Sequence, residues 1–216
     1  MQQITHYRRT AGYLFDWSPI GDRILLGRAM QYGGCGSVNG EIYAADPDGR
    51  NPLRLTKNRC ADINADWSPD GRRIVFSSDR RGNNLDIYTM RPNGTNIRRL
   101  TTYRGEDSDP RWSPDGREIA YVRGPGEDAI NHSAANIFVM RSDGSHVRKI
   151  TRFDRELESP AWSPDGRRIA FISGVDVYVM KSDGSRRRLI VDRQTVRRLI
   201  NFRISWDSVD WRPDPS

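Results

Sequence analysis

Few side chains in this chain are suited to nucleophilic, acid–base or metal chemistry. There are three histidines, His6, His132 and His146. His146 follows the hairpin dipeptide Asp143-Gly144, while His132 lies in a polar loop on the opposite face. A shared metal site is therefore not expected, and all three read as surface loop histidines. No Gly-x-Ser-x-Gly, His-Glu-x-x-His, Cys-x-x-Cys or phosphate-binding loop occurs, so neither catalysis nor a cofactor or metal is expected. Asp46-Pro47-Asp48-Gly49 lacks the spacing and distant glutamate of a calcium loop and reads as a turn. Asn93-Gly94-Thr95 and Asn131-His132-Ser133 match glycosylation acceptors, a pattern common by chance.

More informative are carboxylates that precede tryptophans: Asp62, Asp66, Asp107, Asp109, Glu158, Asp207 and Asp210. Their placement depends on a repeat. Trp67-Ser68-Pro69-Asp70-Gly71 recurs as Trp112-Ser113-Pro114-Asp115-Gly116 and Trp162-Ser163-Pro164-Asp165-Gly166. Degraded copies begin at Trp17 and Trp211. A period of 45 to 50 residues with several short strands per unit marks propeller blades. Each small sheet cannot cover its own apolar faces, so sheets stack and an indole of each copy wedges against a neighbour.

Within the second unit, Ala65-Asp66-Trp67 reads as a first strand and Ser68-Pro69-Asp70-Gly71 as a turn. Ile74-Val75-Phe76-Ser77 and Asp86-Ile87-Tyr88-Thr89-Met90 are the second and third strands. Asn93-Gly94 signals a hairpin, and residues 96–101 a fourth strand. The fold class expected is all-β, a propeller of four-stranded antiparallel blades in a single domain over residues 1–216. The repeats fall at about 13–56, 63–101, 108–151 and 158–190, with a partial blade from 1–5 and 207–213. These ends either close a small ring or leave an arc that a second copy completes, since bare strand edges associate.

Trp-Ser-Pro-Asp-Gly, an apolar strand, Asp-Ile-Tyr-x-Met, Asp-Gly and Arg-Leu-Thr together resemble the repeat of TolB-type β-propellers. The resemblance covers nearly the whole chain. It implies a periplasmic or extracellular scaffold, although related repeats also occur in propeller domains of peptidases. The α/β domain of the Tol–Pal scaffold has no match here. In that family the tunnel mouth is a partner-binding face, which implies the same face here. Asp109 and Glu158 lie close to where the family places an acidic residue; the first unit has Tyr13-Leu14 instead. The bland alternative is that these carboxylates accept hydrogen bonds from loop backbones. The function expected is non-catalytic binding of a protein or peptide by the loop face. Tyr32, Arg80, Arg81, Asp107, Asp109, His132 and Glu158 are the candidate contacts.

Cys35 and Cys60 lie in loops that leave the first unit on one face. A disulfide is open to them, and so is a pair of reduced thiols. The start of the chain shows no apolar signal core, which fits a cytoplasmic, mature or fragment chain, and no run could span a membrane. The net charge of +7 rests on 35 Lys and Arg against 28 Asp and Glu. Basic pairs recur in fourth strands: Arg98-Arg99, Arg148-Lys149 and Arg186-Arg187-Arg188. They read as a solvated guard on edge strands, or else as a basic rim for an anionic polymer. No aromatic stripe accompanies them, which disfavours nucleic acid. The remaining rival is an accessory propeller of a hydrolase or peptidase system.

Overall fold

The computed structural model describes residues 12–30, 35, 39–82, 84–125 and 134–192. Among the described residues, sixteen strands form four separate four-stranded antiparallel sheets and there is no helix. The first sheet holds β1 Gly12–Trp17, β2 Ile24–Met30, β3 Asn39–Ala45 and β4 Leu53–Arg54. The second holds β5 Asp62–Trp67, β6 Ile74–Ser78, β7 Asp86–Met90 and β8 Arg98–Arg99. The third holds β9 Asp107–Trp112, β10 Glu118–Arg123, β11 Asn136–Arg141 and β12 Arg148–Lys149. The fourth holds β13 Glu158–Trp162, β14 Arg168–Ser173, β15 Asp176–Lys181 and β16 Arg188–Val191. In each sheet the strands follow one another in sequence order.

The chain divides into two compact units, residues 1–110 and 111–216. In the first, Trp67 is 8% exposed and packs with Leu25, Ile42, Ala44 and Leu55 of the first sheet. In the second, Trp162 packs with Ala120, Ile137, Val139 and Ile150 of the third. These two indoles are wedged against the preceding sheet, as the repeat predicts. Trp17 departs from the rule at 48% exposed, because no described residue forms a sheet before it.

The Trp-Ser-Pro-Asp-Gly turn has one mechanism in three copies. Ser68 Oγ accepts the Arg73 N–H at 2.8 Å and donates to Asp70 Oδ1 at 2.6 Å. Asp70 also accepts the Arg72 N–H at 3.0 Å. Ser113 and Ser163 do the same for Asp115 and Asp165. These hydroxyls hold all three aspartates below the usual carboxylate range. In the degraded first copy Ile20 stands where the aspartate would be, and Asp22 accepts from Ser18 instead.

Fourth strands of the first three sheets are shorter than the sequence suggests. The predicted strand 96–101 is reduced to Arg98–Arg99. The left-handed backbone at Asn96, φ 56°, ends the hairpin and delays pairing. The partial blade expected from residues 1–5 and 207–213 lies outside the described residues.

Candidate partner-binding site

The loop end of the first three sheets, where first and third strands begin, is built on buried polar side chains. In the first sheet Glu41 is fully buried at the start of β3. Arg54 Nη2 donates to its Oε1 at 2.6 Å, and Thr56 Oγ1 to its Oε2 at 2.9 Å. The Ile42 N–H in turn donates to Thr56 Oγ1 at 3.0 Å. The second sheet repeats the pattern with Asp86, Arg99 and Thr101. The third keeps Thr151 and the Ile137 N–H but has neutral Asn136 in place of the acid. Burial raises the Asp86 carboxyl despite the nearby Arg99 charge, and the hydrogen bond that Arg54 donates to Glu41 raises Arg54.

Asn58 connects this frame to the next sheet. Its N–H donates to Glu41 Oε1 at 3.1 Å, and its side-chain amide donates to Asp62. Its own Oδ1 accepts the Cys60 N–H at 2.6 Å. Asp62, fully buried, receives Arg80 Nη2 at 2.7 Å. The Arg80 guanidinium also lies 5.1 Å from the ring centroids of Phe76 and Tyr88, a cation–π arrangement. Asp79 Oδ1 accepts the Ala61 N–H at 2.7 Å. Burial pushes the Asp79 carboxyl up. Cys35 and Cys60 are joined as a disulfide beside it, with Cα atoms 4.9 Å apart. Their sulfurs and an Asp79 oxygen lie within 4.8 Å of one another. With both sulfurs bonded to each other, this group offers a metal only the Asp79 carboxylate.

First strands carry a bulge near this end. The β5–β6 register shifts between Ile63 and Asp66, and the β13–β14 register between Glu158 and Ala161. Asn64, Asp109 and Ser159 occupy the same place, three residues before a tryptophan. All three have left-handed backbone, φ 55°, 51° and 51°. Asn64 donates its side-chain amide to Asp109. Left-handed non-glycine residues are costly and concentrate where side chains are aimed for a purpose.

The model of the TolB beta propeller domain matches residues 10–133. The chain belongs to the TolB β-propeller family. A Tol-Pal system protein TolB from Geobacter sulfurreducens is 55% identical over 38 residues, 18% of this chain and 9% of that protein. The crystal structure of TolB from Acinetobacter baumannii superposes with a TM-score of 0.68 at 27% identity, covering 85% of this chain and 44% of that one. An oligogalacturonate lyase in complex with manganese matches with a TM-score of 0.61 at 14% identity, covering 80% of this chain and 50% of that one. That likeness shows the fold alone. The chain thus spans less than half of the TolB structure it matches.

In this TolB-type chain the expected contact residues separate into classes. Arg80 and Asp107 are built into the frame: Arg80 pairs with Asp62, and Asp107 is fully buried with its N–H on Leu85 O at 2.8 Å. Asp109 is half-buried on the bulge and bonded to Asn64, whereas Arg81 and Glu158 are exposed. Glu158 is not the counterpart of Asp109. It precedes the bulge residue Ser159, and Leu157 takes the place that Asp62 and Asp107 hold in other repeats. Tyr32 and His132 lie outside the described residues. Sequence reasoning missed Asn58, Asn64 and Asp79. Aligning the repeats on their tryptophans would have exposed the Asn64 and Asp109 pair. Asn58 and Asp79 carry no such signal.

Proposed function

We propose that this TolB-family propeller is a non-catalytic scaffold that binds a protein or peptide partner through its loop end. The observation that carries this reading is the left-handed bulge shared by Asn64, Asp109 and Ser159. It holds polar side chains in a strained backbone above a frame whose buried acids Glu41, Asp62 and Asp86 are already paired with arginines. Such a frame supports recognition by shape and hydrogen bonding rather than acid–base chemistry, since Asp62 and Arg80 are committed to each other. Asp109, Glu158 and Arg81 are the contacts we assign to the partner; Tyr32 and His132, expected from the sequence, lie outside the described residues. The name of the Geobacter relative, a Tol-Pal system protein, supports a protein partner. The Cys35–Cys60 disulfide supports an extracytoplasmic setting.

Pull-down with the tagged full chain, followed by affinity measurement on the recovered partner, tests the reading. Asp109→Lys together with Glu158→Lys should weaken binding by about a hundredfold, two charged contacts' worth. Unchanged affinity in a variant with wild-type melting would remove the loop end as the binding surface.

A further inference from the structure

The repeats differ at one place in a way that leaves charge uncompensated. Arg54 and Arg99 each close the short fourth strand of their sheet and each pair with a buried acid, Glu41 or Asp86. Lys149 holds the same register position, opposite Phe138 as Arg54 is opposite Tyr43. Its acid has become Asn136, whose amide is spent on Thr151 and Phe153. Lys149 is exposed and has no carboxylate partner among the described residues.

A groove of about 420 Å³ opens at this point between the third and fourth sheets. Lys149, Arg152 and Arg187 line it, with Asp183, Gly184 and Ser185 of the last hairpin. Arg187 is held with its guanidinium 4.4 Å from the Phe153 ring centroid, which orders it without neutralising it. Asp183 is turned inward on its own hairpin, accepting the Ser185 N–H at 2.8 Å. The groove thus carries three cations against one carboxylate, a surplus of two positive charges.

We propose that this groove binds the phosphate of a soluble phosphomonoester. A dianion matches the surplus. A planar guanidinium presents paired donors to phosphate oxygens, and lysine adds a point charge. The groove shares Thr151 with the loop-end frame but holds none of the contacts assigned to the protein partner, so the proposal stands independently of that reading.

The test is a titration of the isotope-labelled full chain with inorganic phosphate, then with glycerol 3-phosphate, followed by amide NMR at constant ionic strength. Saturable shifts should be confined to the groove segments 149–152 and 183–187. Lys149→Met should weaken binding by about tenfold, the worth of one charge-assisted contact. Asn136→Asp removes no cation but restores the acid that captures its counterparts, and it should also weaken binding severalfold. Arg187 is avoided because its loss would also disturb Phe153. Shifts that do not saturate, that chloride reproduces, or that both variants leave unchanged would overturn the proposal.

Discussion

The Asn64 side-chain amide donates to the Asp109 carboxylate, joining first strands that lie 45 residues apart in the chain. The two residues hold the same place in consecutive repeats and share a left-handed backbone. The repeat therefore makes contact with itself through a left-handed position. Asn64→Ala loses a hydrogen bond to a charged acceptor and places a methyl-bearing residue at φ 55°, for a total of about 3 kcal/mol. Asn64→Gly loses the bond but relieves the backbone, so it should be about 1 kcal/mol less damaging. Urea unfolding of the two variants checks the gap. Equal destabilisation would mean that the left-handed conformation costs nothing here.

Two glycines with similar backbone angles should respond differently to alanine. Gly184 has φ 87°, and a Cβ there would lie 2.1 Å from the Ile150 carbonyl oxygen of the preceding sheet. Gly174 has φ 63° and nothing within 4 Å of a Cβ. Gly174→Ala should cost only the backbone term, about 1 kcal/mol. Gly184→Ala must also push a hairpin off a neighbouring sheet, and should cost about 3 kcal/mol or more. Gly94, whose Cβ would lie 2.4 Å from Leu55 O, should behave like Gly184. Thermal melts rank the three, and similar losses at Gly174 and Gly184 would contradict the close approach.

The sheets were legible because their signals are local and repeated. Trp67, Ser68, Pro69, Asp70 and Gly71 each have a defined task in one turn, and three near-identical copies leave little room for another reading. Asn93-Gly94 marks its hairpin for the same reason. The candidate site was less legible because its partners are far apart in sequence. Arg80 reads as a partner-contacting loop charge until the fold brings Asp62, Phe76 and Tyr88 around it. Glu158 and Asp109 look equivalent when counted loosely, but the bulge places them in different roles. Lys149 resembles Arg54 and Arg99 in every local respect. Its difference lies in Asn136, 13 positions earlier in the chain, and only strand pairing connects the two.

The disulfide should contribute mainly by restricting the unfolded chain. Cys35 and Cys60 are 25 residues apart, which on the chain-entropy account corresponds to about 3–4 kcal/mol. Replacing both by serine should lower stability by about that amount. The same loss should appear in the wild type under reducing conditions, and reductant should have no further effect on the double variant. A wild type whose melting ignores reductant would show that the bond contributes little to the folded state.

Asp79 supplies a pH dependence with a definite sign. Burial, reinforced by the Asp62 charge, raises its carboxyl above the usual range, and hydrogen bonds from backbone N–H groups only partly oppose this. The folded state therefore holds the proton to higher pH than the unfolded chain does. Its contribution is fully present below the ordinary carboxylate range. It is lost as pH rises through the raised folded value. Asp79→Asn cannot ionise, and its side-chain oxygen can still accept the Ala61 N–H that Asp79 Oδ1 accepts at 2.7 Å. The variant should be more stable than wild type at neutral pH, and the difference should shrink towards about pH 3.5, where the unfolded carboxyl also holds its proton. Urea midpoints of both proteins across this range decide the matter. A difference that grows on acidification would reverse the sign, and would mean that the ionised carboxylate is stabilised by its neighbours.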